Sequence, residues 1–220
     1  MNIKYIGHSC FLITINNIKI LLDPFITNNP LSKMGVLDVK PDVILLTHDH
    51  HDHLGDAIEI SKHSGAEIIT IFDLAQELNK FHVPTIGGNL GGTIDYKGIS
   101  FTFVKAEHSS NKGVPVGFII RYDQRSIYFA GDTNVFLDMK IIKDLYAPEI
   151  VMLPIDGRFN MGPKEACYAL NLLKPKIVIP MHYDTFEVLK YTPENLREEM
   201  ELQNIPSKLI VFDILEEKDL

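Results

Sequence analysis

The run His48-Asp49-His50-His51-Asp52-His53 limits what this chain can fold into more than any other stretch. His48, His50, Asp52 and His53 are good metal ligands and form the pattern H-x-H-x-D-H. The run follows Val43-Ile44-Leu45-Leu46, which reads as a fully buried strand, and precedes Leu54–Ile60, which reads as the start of a helix. The ligands therefore sit in a strand-to-helix turn, where a rigid scaffold commonly displays chemistry. Residues two apart on an extended chain point the same way, so His48 and His50 can grip one ion. Asp52 and His53 lie beyond the bend and can face a second. One hexapeptide cannot fill two coordination shells, so other segments have to supply further ligands.

Strands are expected at 2–6, 10–15, 18–22, 43–46, 67–71, 93–96, 99–106, 116–122, 126–130, 149–153, 176–179 and 208–212. Helices are expected at 54–63, 74–81, 135–145, 163–173 and from Thr192 to about 202. Asn16-Asn17 fits a two-residue hairpin turn. Residues 24–41 read as a surface loop, the glycine-rich 84–92 as a plain turn and the acidic tail as a frayed end. No linker or repeat is apparent. Strands cluster early and then alternate with helices, which points to one domain over 1–220 with sheets covered by helices.

Several strands end in a residue that can bind metal. His48 follows 43–46, His108 follows 99–106, Asp132 follows 126–130 and His182 follows 176–179. With the hexapeptide this gives a set of seven: His48, His50, Asp52, His53, His108, Asp132 and His182. The simplest assignment places His48, His50 and His108 on one ion. Asp52, His53 and His182 take the other, and Asp132 bridges. Zinc leads among the metals, with manganese, nickel and iron as alternatives, because their ligand preferences overlap.

The balance of 21 basic against 29 acidic residues, a net −8, argues against a general nucleic-acid or membrane-surface binder. The two cysteines, Cys10 and Cys167, imply no disulfide framework and fit a reducing compartment. The start runs straight into strand-like sequence with no signal-peptide pattern, and no apolar run reaches the ~18 residues that span a bilayer. A cytoplasmic location is the resulting expectation.

Thr47–Asp56 resembles the signature turn of the metallo-β-lactamase superfamily. Glu107-His108-Ser109, Ala130-Gly131-Asp132-Thr133 and Met181-His182-Tyr183 are similar to its remaining ligand motifs, in order, and Asp23 to its early buttressing aspartate. Gly7–Ile13 and Asp156–Pro163 resemble the branch of L-ascorbate-6-phosphate lactonase and related metal-dependent hydrolases. The resemblance spans nearly the whole chain. It implies an α/β fold, an αββα sandwich of two mixed sheets flanked by helices, with two divalent cations as cofactors.

The expected chemistry is hydrolysis by a metal-activated hydroxide, in which Asp132 holds and orients, Asp52 takes part, and His8 protonates the leaving group. For His8, a supporting hydrogen-bond role is an equal reading. Asp23 is expected to support the ligands. Arg158, Asn111 and Asn134 are candidates for touching substrate. A lactone or ester is the leading small-molecule substrate. A phosphodiester, in RNA or a cyclic nucleotide, is the alternative, and a non-catalytic metal-binding module is a third class. Di-iron redox relatives typically carry a carboxylate at the place of His50 and an added flavin domain. The resemblance also admits a homo-oligomer.

Overall fold

β-branched and aromatic residues dominate the strand segments and favour a pleated, buried backbone. In the computed structural model, which describes residues 1–220, they form two seven-stranded sheets. One sheet lies in a unit of Met1–Gly92, Ser109–Pro115 and Phe212–Leu220, and the other in a unit of Thr93–His108 and Val116–Val211.

The first unit holds β1 (Asn2–Gly7), β2 (Cys10–Ile15), β3 (Ile18–Leu22), β4 (Val43–Leu45), β5 (Glu67–Ile71) and β6 (Thr85–Gly88). Its helices are α1 (His51–Leu54), α2 (Ala57–Ser64) and α3 (Phe72–Leu78). The second unit holds β7 (Thr93–Tyr96), β8 (Ile99–Lys105), β9 (Val116–Tyr122), β10 (Arg125–Phe129), β11 (Ile150–Pro154), β12 (Ile177–Met181) and β13 (Lys208–Leu209). Its helices are α4 (Met139–Tyr146), α5 (Pro163–Leu173) and α6 (Pro193–Leu202). The last strand, β14 (Glu217–Asp219), returns to the first unit and pairs antiparallel with β1.

Strand order is β14-β1-β2-β3-β4-β5-β6 in one sheet and β13-β12-β11-β10-β9-β8-β7 in the other. From β14 to β3 the pairing is antiparallel, and from β3 to β6 it is parallel. From β7 to β10 it is antiparallel, and from β10 to β13 parallel. Both units therefore share one topological plan, although the sequence shows no repeat. Each has its own apolar core. Tyr5 and Phe11 pack as tilted rings with centres 4.8 Å apart in the first, and Phe103 and Phe118 at 5.0 Å in the second.

Four local expectations are corrected. Residues 85–88 are an edge strand rather than a turn, and Gly87 explains why: a Cβ there would stand 3.1 Å from Phe72 Cα, so the glycine lets α3 press onto β6. The acidic tail is not frayed, because β14 closes the edge of β1. The segment 24–41 is less superficial than its punctuation suggests, since Phe25, Ile26 and Val39 are buried. The helix expected from 135 begins at Met139. Before it, the Asn134 amide donates to the Glu107 carbonyl at 3.0 Å and keeps the chain extended. No helix is long and apolar enough to cross a membrane.

Candidate metal centre

In the first unit the ligand turn leaves β4, winds once as α1 and stops at Gly55. Gly55 has φ +43°, and a Cβ on it would lie 2.3 Å from the Pro24 carbonyl oxygen. Only glycine permits that approach. The neighbouring Asp56 amide donates to the same carbonyl at 2.9 Å, and its carboxylate accepts from the amides of Ile26 and Thr27. This docking brings Asp23 beneath the turn.

Asp23 is fully buried and is a hub. It accepts from the Thr47 amide at 2.9 Å, the Thr47 hydroxyl at 2.7 Å and His53 Nδ1 at 2.7 Å. Thr47 Oγ1 also lies 2.9 Å from His48 Nδ1. Since the Thr47 proton goes to the carboxylate, its oxygen accepts from Nδ1–H of His48. Asp23 thus sets two imidazoles, one directly and one through Thr47. A proton on Nδ1 of each leaves Nε2 available to a cation. His48 Nε2 and His50 Nδ1 stand 2.9 Å apart, so these two atoms converge on one point. His8 Nε2 donates to Asp52 Oδ2 at 3.2 Å, and the ligand atoms of His8, Asp52 and His53 lie within 4.8 Å of one another. His51 is exposed.

In the second unit Asp132 gathers two histidines. Its Oδ2 lies 3.5 Å from His108 Nε2 and 3.2 Å from His182 Nε2. Thr133 ties the first two segments together. Its hydroxyl accepts from the Glu107 amide at 2.9 Å and donates to the Asn134 carbonyl at 2.7 Å. His182 is set by Asp156, whose Oδ2 lies 3.2 Å from Nδ1. The other Asp156 oxygen accepts from the amides of Arg158 at 2.7 Å and Phe159 at 2.6 Å. Burial works to raise the Asp156 carboxyl, but the adjacent His182 and these amides outweigh it and hold it below the usual carboxylate range.

Non-glycine residues with φ > 0 occur within this set: His8 at +61°, Asp23 at +37° and His182 at +60°. Such backbone persists where the surroundings enforce it, commonly at functional sites. Arg158 is exposed on the turn that Asp156 caps, its guanidinium carbon 5.9 Å from the Phe159 ring centre. Asn134 is exposed. Asn111 is also exposed, and its side-chain amide reaches Asp49 at 3.4 Å.

Sequence reasoning assigned no role to Thr47 or Asp156, although both stand inside motifs it singled out. The available signal was position. Thr47 precedes the first candidate ligand, and Asp156 follows a buried strand, as His108, Asp132 and His182 do. The donors fit a resident cation well, being imidazoles with one nitrogen fixed by an acceptor together with carboxylates from neighbouring strand ends.

The profile described as "Beta-lactamase superfamily domain" matches residues 2–182. A UPF0173 metal-dependent hydrolase of Methanosarcina barkeri is 44% identical, with 100% of this chain and 99% of that protein covered. Another, of Methanopyrus kandleri, is 40% identical, with 97% of each covered. Among solved structures, Igni18, described as a novel metallo hydrolase from the hyperthermophilic archaeon Ignicoccus hospitalis, superposes with TM-score 0.93 at 36% identity, covering 100% of both chains. Two mixed sheets flanked by helices are the fold class expected. With this sequence likeness over nearly its full length, the chain belongs to the metallo-β-lactamase superfamily and, within it, to the UPF0173 metal-dependent hydrolases.

Proposed function

We propose that this chain is a single-domain hydrolase that works with two divalent cations, zinc first among them. His48, His50 and His108 would hold one ion, Asp52, His53 and His182 the other, with Asp132 between them. The observation that carries this reading is the fixing of His48 and His53 at Nδ1 by Thr47 and Asp23, with Asp156 beside Nδ1 of His182 at 3.2 Å. That pattern leaves Nε2 of each as the donor, which is what a ligating imidazole requires.

Bound divalent ions supply an acidified water and stabilise negative charge developing on oxygen. The chain's own residues orient and exclude. Asp132 aligns His108 and His182. His8, fully buried, steadies Asp52, and protonation of the departing group is the alternative role for it. Arg158 and Phe159 form an exposed cationic and aromatic pair that suits a small substrate with an anionic and an apolar part. Asn111 and Asn134 complete the proposed substrate contacts. A lactone or ester is the favoured substrate. Phosphodiesters rank second because the net charge of −8 disfavours RNA. Two buried free thiols accord with a reducing cytoplasm.

The test is elemental analysis of purified protein coupled to assays on generic lactones, carboxylic esters and bis-p-nitrophenyl phosphate. Two equivalents of metal and lactone or ester turnover are expected, with turnover abolished and metal weakened in Asp132→Ala. Full activity of that variant, or a metal-free protein with activity, overturns the proposal. Turnover of the phosphodiester alone replaces the substrate class.

A further inference from the structure

Asp49 stands between His48 and His50 and points to neither. Its Oδ1 accepts from the Ser110 hydroxyl at 3.0 Å, the Asn111 amide at 2.8 Å and Asn111 Nδ2 at 3.4 Å. Ser110 and Asn111 follow His108 directly along the chain, after Ser109. Three donors on one carboxylate oxygen commit Oδ1 to this segment, with the Ser110 hydroxyl also near the Lys112 carbonyl at 3.2 Å. The partners are 61 and 62 residues away in sequence, so this is not a local turn closing on itself. An amide or hydroxyl bonded to an ionised carboxylate is roughly twice as strong as a neutral pair.

The far end of the same segment is held less firmly. Lys112 pairs with Glu77 at 3.6 Å, an exposed and screened contact. Gly113, at φ +71°, lies so close to β5 that a Cβ would stand 3.0 Å from Ile71 Cγ2. Residues 109–115 are therefore a strap docked on the first unit, and Asp49 is its main polar anchor.

We propose that Asp49 is a positioning residue whose carboxylate clamps the strap following His108 onto the turn that presents His48 and His50. The proposal rests on the metal-centre reading given above. Asp49 would keep the histidines before and after it in register with the segment that leaves His108, without touching metal or substrate.

The test uses the full chain as Asp49→Ala and Asp49→Asn. Zinc affinity is read by competition with a chromogenic chelator, and amide exchange of 109–115 is read in the metal-free protein. Asp49→Ala should lose protection at the Asn111 amide and bind zinc about tenfold more weakly, the lower end for supporting partners of a ligand. Its denaturation midpoint in chelator should fall modestly, since the lost bonds hold a surface strap rather than the core. Asp49→Asn keeps an acceptor oxygen and should recover both properties. If Asp49→Ala does not fold, Ser110→Ala removes one donor and should show the same two losses, smaller in size. Unchanged exchange at Asn111 overturns the clamp. Lost protection with parental zinc affinity overturns its link to the ligands. A parent protein that binds no zinc removes the functional reading itself, and with it any positioning role, whatever the exchange shows.

Discussion

Thr47 shows how much a single hydroxyl can decide. It joins buried Asp23 to His48 and so sets which nitrogen of that imidazole carries the proton. Thr47→Val keeps the shape but removes the link. It should weaken metal binding about tenfold and cost about 1–3 kcal/mol in stability, because Asp23 loses a buried donor. Chelator competition and urea unfolding measure the two effects, and Thr47→Ser should recover most of both. Arg158→Ala should raise KM for anionic substrates with little change in kcat, as expected for a group that binds substrate and transition state alike. At this scale the histidines and aspartates that could hold a metal were visible as residue types at strand ends. Thr47 and Asp156 were not, because their roles lie in hydrogen bonds between segments rather than in residue type.

Among the elements, most central strands were legible, as was the Asn16-Asn17 turn, both residues adopting φ > 0, whereas the edge strands β6 and β14 were missed and the strand expected at 208–212 is only Lys208–Leu209. Helix starts were less so. The ligand turn is itself a single helical turn, broken at Gly55 by the backbone of Pro24. Gly55→Ala should cost about 2 kcal/mol or more through clash and backbone strain. Gly65→Ala, at φ +77° with no atom within 4 Å, should cost about 1 kcal/mol. Thermal unfolding of the pair separates contact from conformation. Glu149 offers a pH test. Slight burial works to raise its carboxyl, but Arg125 on β10 and Lys176 before β12 hold it below the usual value. A carboxylate lowered in the folded state stabilises above its unfolded pKa of about 4.3, and that stabilisation fades as pH falls through the lower folded value. Glu149→Gln should therefore cost about 0.5 kcal/mol at pH 7 and nothing near pH 2, read from urea midpoints at both pH values.

For the molecule as a whole, the fold class could be read from the order of strands and helices, whereas the shared plan of the two sheets could not. Topology repeats here without repeated residues, since any branched apolar side chain serves a buried strand. Bound metal should stabilise the folded chain by mass action, about 2.7 kcal/mol at a free concentration one hundred times Kd. A melting curve that does not respond to EDTA would contradict a resident cation. The chain path carries one more consequence. The first sheet receives its edge strand β14 only from residues 217–219, and its unit includes Phe212–Leu220. While the polypeptide is still being made on the ribosome, β1 must wait as an open edge until more than two hundred residues have followed it. That edge can lock only once residues 217–219 have been made and can reach β1. Translation arrested short of that point should yield a product prone to self-association through β1.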